Sequence, residues 1–236
     1  MPGHLPSAEA SPRTPSPGIT SPGASASPVL DDCFTAARGT TETVPDSGGG
    51  TLTLGIAGAG PRVIILSNQS DEDLCSWLPL SARLAAAGYR IVLWDYGANP
   101  PPAELAGVVK RLRSSGAARV VLMRAPEGAK ASLVAAARIK PAVRGVVSLS
   151  AESILRPGVV VIDSVRRLRC PLLLATVDQD PYGSAQAARQ FLSAAPGQAK
   201  QLVMVPGTDH GTALITGRSG ARTLPAILGF LRRVLG

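Results

Sequence analysis

The sequence predicts an α/β fold: a mostly parallel, doubly wound sheet with helices on both faces. Three observations carry this. From about residue 50, short β-branched or apolar runs alternate with longer stretches of helical character. Several runs, such as RVIIL and VVLM, are apolar without interruption, as strands covered on both faces are. Strands that alternate with helices close most simply through right-handed crossovers into one parallel sheet.

In chain order, strands are predicted at 51–57 (TLTLGIA), 62–67 (RVIILS), 89–95 (YRIVLWD), 118–123 (ARVVLM), 145–150 (GVVSLS), 171–176 (PLLLAT) and 200–205 (KQLVMV). Helices are predicted at about 74–87, 103–115, 128–139, 183–194 and 222–235. Residues 1–30 form a Pro/Ser/Ala-rich tail; 22 of the first 28 residues are Pro, Ser, Ala, Gly or Thr. Such a segment buries too little apolar surface to offset its ordering entropy, so it is expected to be disordered. Residues 31–49 read as a connecting segment, and 50–236 as a single domain without a lid.

The 236 residues include 24 Lys+Arg against 16 Asp+Glu, a net charge of +8. The basic residues are scattered along the chain and aromatics make up only 3%, which argues against nucleic acid and for a solvated basic surface. No apolar run is long enough to span a bilayer. Only two histidines are present, His4 and His210, which excludes a His-rich metal centre, and no cofactor is implied. The tail has neither an apolar core nor a basic start, so the chain as written reads as cytoplasmic. It reads as exported if the true start lies upstream. Cys33 and Cys75 are expected to stay unpaired in a reducing compartment; in an exported chain they would pair.

In open parallel sheets the chemistry collects at the carboxyl ends of strands. Asp180 follows the strand PLLLAT, and His210 lies in a Gly-flanked polar loop after the last strand. An acid and an imidazole so placed suit a base oriented by a carboxylate. The polar loop Asn68-Gln69-Ser70 after RVIILS is placed to present backbone N–H groups to an oxyanion. Its bland reading is an ordinary loop with Asp71 or Asp73 capping the next helix.

These residues carry a resemblance. LSNQSDEDLCSWLPLSARLAAAGYRIVLWDYG, ARVVLMRAPEGAKASLVAAA, PLLLATVDQDPYGSAQAARQF and MVPGTDHGTAL resemble successive segments of the α/β-hydrolase superfamily, in particular its small lidless dienelactone-hydrolase and serine-aminopeptidase-like members. The resemblance implies Asp180 as catalytic acid, His210 as base, and Asn68, Gln69 and Ser70 as the oxyanion loop. It departs at the nucleophile elbow. The family pattern is G-x-S-x-G; this chain reads Arg124-Ala125-Pro126-Glu127-Gly128. Pro126 at the serine position offers no nucleophilic atom, and its φ is locked near −65°, away from the positive φ of an elbow. An ordinary strand-to-helix turn is therefore expected, with Pro126 in the first helical turn. Glu127 reads as a binding or acid–base candidate, or more simply as a surface charge paired with Arg124. Trp77, Tyr96 and Tyr182 are candidate apolar walls of a shallow, open pocket.

Three functional readings follow. The first is a hydrolase-fold protein inactive or atypical towards esters. The second is a hydrolase or lyase using the Asp180–His210 dyad as general base without a covalent intermediate. The third is a non-catalytic binding module. The partner is a small-molecule substrate or ligand, and the oligomeric state is left open.

Overall fold

Alternation within the strands builds the two-sided core. In β3 (Arg62–Ser67), Val63 and Ile65 face one layer of helices while Ile64 and Leu66 face the other. In β5 (Arg119–Arg124), Val120 and Leu122 oppose Val121 and Met123 in the same way. Both faces of these strands are covered, and for that reason their sequences read as unbroken apolar runs. The computed structural model describes residues 30, 32–46, 48–67, 74–94 and 101–236.

The remaining sheet strands are β1 (Thr40–Pro45), β2 (Thr51–Ala57), β4 (Arg90–Trp94), β6 (Gly145–Leu149), β9 (Leu172–Val177) and β10 (Lys200–Val205). Their order is β1-β2-β4-β3-β5-β6-β9-β10. β1 pairs antiparallel with β2, and β2 antiparallel with β4; every other pairing is parallel. A short hairpin, β7 (Ile154–Leu155) with β8 (Val159–Val160), lies outside the sheet.

The helices are α1 (Leu78–Ala86), α2 (Pro101–Ser114), α3 (Pro126–Ala136), α4 (Val161–Val165), α5 (Ser184–Ala194), α6 (Ala213–Thr216) and α7 (Gly220–Leu235). α2, α3, α4 and α5 pack on one face through residues such as Leu105, Leu133, Val165 and Phe191. α1, α6 and α7 cover the other through Leu84, Leu214 and Phe230. No helix among the described residues is long and apolar enough to cross a membrane.

The predicted strands and helices all form, with ends shifted by a few residues. The segment 31–49 is not a connector. It contributes β1, and Phe34 belongs to the core, as does Leu30 from the predicted tail. A disulfide joins Cys33 to Cys75, contrary to the unpaired expectation, and ties this segment to the turn of 3-10 helix before α1. Residues 1–29, Asn68, Gln69, Ser70, Asp71, Asp73 and Tyr96 lie outside the described residues.

Candidate active site

The turn after β5 is relaxed backbone. Ala125 is extended (φ −106°, ψ 171°), and Pro126 opens α3 at its first position. Proline suits that place because the first helical N–H has no intrahelical acceptor to lose. Arg124, the last residue of β5, is fully buried. Its guanidinium stacks on Trp94 and its Nε donates to Ser67 Oγ. It therefore does not pair with Glu127. Glu127 instead reaches one turn along α3 to Lys130, at 2.7 Å.

Asp180 and His210 meet as the sequence suggested. Asp180 sits in the turn between β9 and α5, and its side chain is fully buried. One carboxylate oxygen lies 2.7 Å from His210 Nδ1. The other accepts the backbone N–H groups of Tyr182 (2.9 Å) and Ser184 (3.4 Å). Burial pushes the Asp180 pKa up, but the bonds from His210, Ser184 and Tyr182 outweigh it and hold the carboxyl below its ordinary value. The Tyr182 ring packs against the imidazole at a tilt of 53°, with ring centroids 4.4 Å apart.

The loop that carries His210 is fixed from below. Ser150, just past β6, is the only non-glycine residue with positive φ among the described residues (φ 52°). Its buried Oγ accepts the N–H of Gly211 at 3.1 Å. Gly211 itself has φ 58°, a left-handed turn that glycine enters at little cost. On the far side of the loop, Asp209 accepts the N–H of Ser219 at 2.8 Å. Ser150 thus ties the loop that carries His210 to the end of β6.

Two residues that sequence reasoning missed complete the site. Glu152, two residues beyond Ser150, places one oxygen 3.7 Å from His210 Nε2 and the other 2.5 Å from Lys130 Nζ. Lys130 is buried between Glu127 and Glu152. Burial alone would lower its pKa, yet the two carboxylates outweigh it and raise the ammonium above the ordinary lysine value. The array reads Asp180–His210···Glu152–Lys130–Glu127. Glu152 stands after a strand's carboxyl end, where the topological rule would have found it. Lys130 is one helical turn from Glu127, an i,i+3 spacing visible in the sequence.

The neutral imidazole has one N–H. With that hydrogen on Nδ1 and directed at Asp180, the Nε2 lone pair faces Glu152 at a distance too long for a direct hydrogen bond. Among the described residues, no hydroxyl or thiol hydrogen-bonds Nε2; the neighbouring polar group is this carboxylate. A ligand O–H or N–H, or a water, seated between Nε2 and Glu152 would reach both acceptors.

A cleft of about 770 Å³ opens over these groups, lined by Pro126, Glu127, Lys130, Glu152, Tyr182 and His210, among others. It is open to solvent: the chain between β6 and β9 holds only the β7–β8 hairpin and α4, with no lid. The exposed large apolar side chains Ile154, Val159, Val160 and Tyr182 belong to that hairpin and to the turn after β9, and Ile154 and Tyr182 line the cleft. Tyr182 is thus a wall residue, as expected. Trp77 is not; it is buried in the core. No group of three or more His, Cys, Asp or Glu side chains suited to a metal occurs among the described residues.

No family model and no curated protein matches the sequence. Solved structures do match the fold. An esterase domain of a Rhodothermus marinus protein superposes with TM-score 0.69 at 22% identity, covering 84% of this chain and 99% of that one. An esterase of Pyrococcus furiosus gives TM-score 0.74 at 13% identity, covering 92% and 100%. The enol-lactonase of Burkholderia xenovorans gives TM-score 0.65 at 14% identity, covering 81% and 100%. With its eight-stranded sheet and its crossover helices, the chain has the α/β-hydrolase fold, in lidless form.

Proposed function

We propose that this chain is an α/β-hydrolase-superfamily protein with a degenerate nucleophile position, that it does not cleave esters through an acyl-enzyme, and that its cleft holds a small-molecule ligand. The carrying observation is the surroundings of His210. Its outward nitrogen faces Glu152, and the cleft it opens on is lined by Pro126 where acyl transfer through the family's elbow needs a nucleophile. The three structural neighbours above include two esterases and a lactonase, which supports the superfamily but not the activity.

The Asp180–His210 hydrogen bond favours a second reading. A histidine oriented by a buried carboxylate, with its other nitrogen open to a cleft, is equipped to deprotonate water or a substrate directly. The Cys33–Cys75 disulfide supports an exported protein over a cytoplasmic one, since such bonds persist in oxidising compartments.

The test is turnover of short-chain aryl esters and enol lactones by the full chain and by His210→Ala, together with labelling by a fluorophosphonate. The first reading expects neither turnover nor label. Turnover that vanishes in His210→Ala without any label would replace it with the second. Stable labelling at an active-site residue would overturn both.

A further inference from the structure

The basic residues that look scattered in the sequence are gathered in space. Six strands of the sheet run parallel, and a cation stands at or just before the start of each. Arg62, Arg90, Arg119 and Lys200 open β3, β4, β5 and β10. Arg144 immediately precedes β6, and Arg169 lies three residues before β9. The carboxylates Glu127, Glu152, Asp178, Asp180 and Asp209 all follow the opposite, carboxyl ends of strands. Cations thus collect at the amino ends of the parallel strands.

Some cations at the basic pole are already engaged. Arg62 and Arg119 donate to the backbone carbonyls of Gly236 and Leu235 and so satisfy the end of α7. Four others line a groove of about 680 Å³: Arg144, Arg169, Lys200 and Arg233. No carboxylate lines it. Lys200 gives one hydrogen bond, to the Ala195 carbonyl, and Arg233 one long bond to Gln201. Among the described residues, the side chains of Arg144 and Arg169 have neither a hydrogen-bond partner nor an ion pair.

We infer that this groove binds a discrete small molecule carrying several linked phosphate groups. Guanidinium groups match phosphate oxygens in a bidentate fork, and several cations held in one concavity favour a ligand with several charges over one with a single charge. The groove volume falls in the range of small-molecule sites. A membrane surface fits less well: the exposed large apolar side chains among the described residues belong to the β7–β8 hairpin and Tyr182, at the other pole, so none is available to insert. Single-stranded nucleic acid fits less well too. The one aromatic lining the groove, Phe230, is buried and covered by Arg233, leaving no platform for bases. The site is independent of the His210 cleft.

The test is calorimetric titration of the full chain with inorganic triphosphate, beside inorganic monophosphate, at about 50 mM salt, where screening is modest. Saturable triphosphate binding at one site is expected, at least about tenfold tighter than for monophosphate. Arg144→Gln with Arg169→Gln should weaken it by about tenfold or more. Arg218→Gln and His210→Ala should leave it unchanged. No saturable binding, equal affinity for the two anions, or indifference to the Arg144/Arg169 pair would each overturn the inference. Because both arginines are exposed, an unchanged thermal midpoint verifies that the double variant is folded.

Discussion

His210 Nε2 lies 3.7 Å from a Glu152 oxygen, and the other oxygen of that carboxylate is 2.5 Å from Lys130 Nζ. Glu152 therefore joins the imidazole to a buried ammonium. Replacing Glu152 by Gln removes one of the two charges that raise the Lys130 pKa and leaves burial, which lowers it. The Lys130 titration is expected to move down in Glu152→Gln, read by NMR of the labelled lysine side chain. No movement would mean that the contact carries no charge coupling.

The same raised pKa has a stability consequence. Its contribution is fully present below the ordinary lysine pKa and is lost as pH rises through the folded-state value. Urea unfolding followed upward from about pH 10 should show a loss of stability in the wild type that is smaller in Lys130→Met.

Asp180 gives the opposite sign. Its folded-state pKa is depressed, so its contribution is present above the ordinary carboxylate value and is lost as pH falls through the lower one. Asp180→Asn should be less stable at neutral pH by about 1–3 kcal/mol, because the partners of a buried group are left unsatisfied. It should also lose less stability than wild type on acidification below about pH 4. Parallel acid unfolding curves would contradict this.

The Cys33–Cys75 bond closes a loop with a sequence separation of 42 residues. The chain-entropy model assigns such a loop about 4 kcal/mol. Reductant, or Cys33→Ser with Cys75→Ser, should lower the denaturant midpoint accordingly. A midpoint indifferent to reductant would show that the native state gains nothing from the bond.

Ser150→Ala leaves the Gly211 N–H without its acceptor and keeps a side chain at φ 52°. Ser150→Gly loses the same hydroxyl but relieves the left-handed backbone, a difference of about 1 kcal/mol in favour of glycine. Alanine is expected to be the less stable of the two by chemical denaturation. The reverse order would mean that the backbone there is not held in that conformation.

The strand and helix pattern was readable because buried parallel strands leave an uninterrupted apolar signal, as in RVIIL and VVLM. β1 was not, since TTETVP lies at the sheet edge, buries only Val44 and looks like a linker. Asp180 and His210 were legible from their places after successive strands. Glu152 obeys the same rule, but nothing in its neighbours marks it as facing His210, which comes from a loop 58 residues further on. The side-chain direction of Arg124 could not be read at all. Whether a residue at a strand end turns into the core or towards its sequence neighbour is decided by what packs there, and Trp94 packs there. The clustering of cations at one pole was equally invisible, because it requires knowing that all those strands point the same way.

The buried Arg124 would oppose a serine elbow at this turn. An elbow glycine in its place would abandon the stack on Trp94 and leave the volume of the side chain unfilled. A serine at Pro126 alone would enter an extended-to-helical turn, with no tendency towards the strained backbone that aims a nucleophile. Glu152 would still occupy the side of the imidazole that the hydroxyl must reach. On the proposed reading, therefore, no single substitution among these three positions would assemble an acylating site.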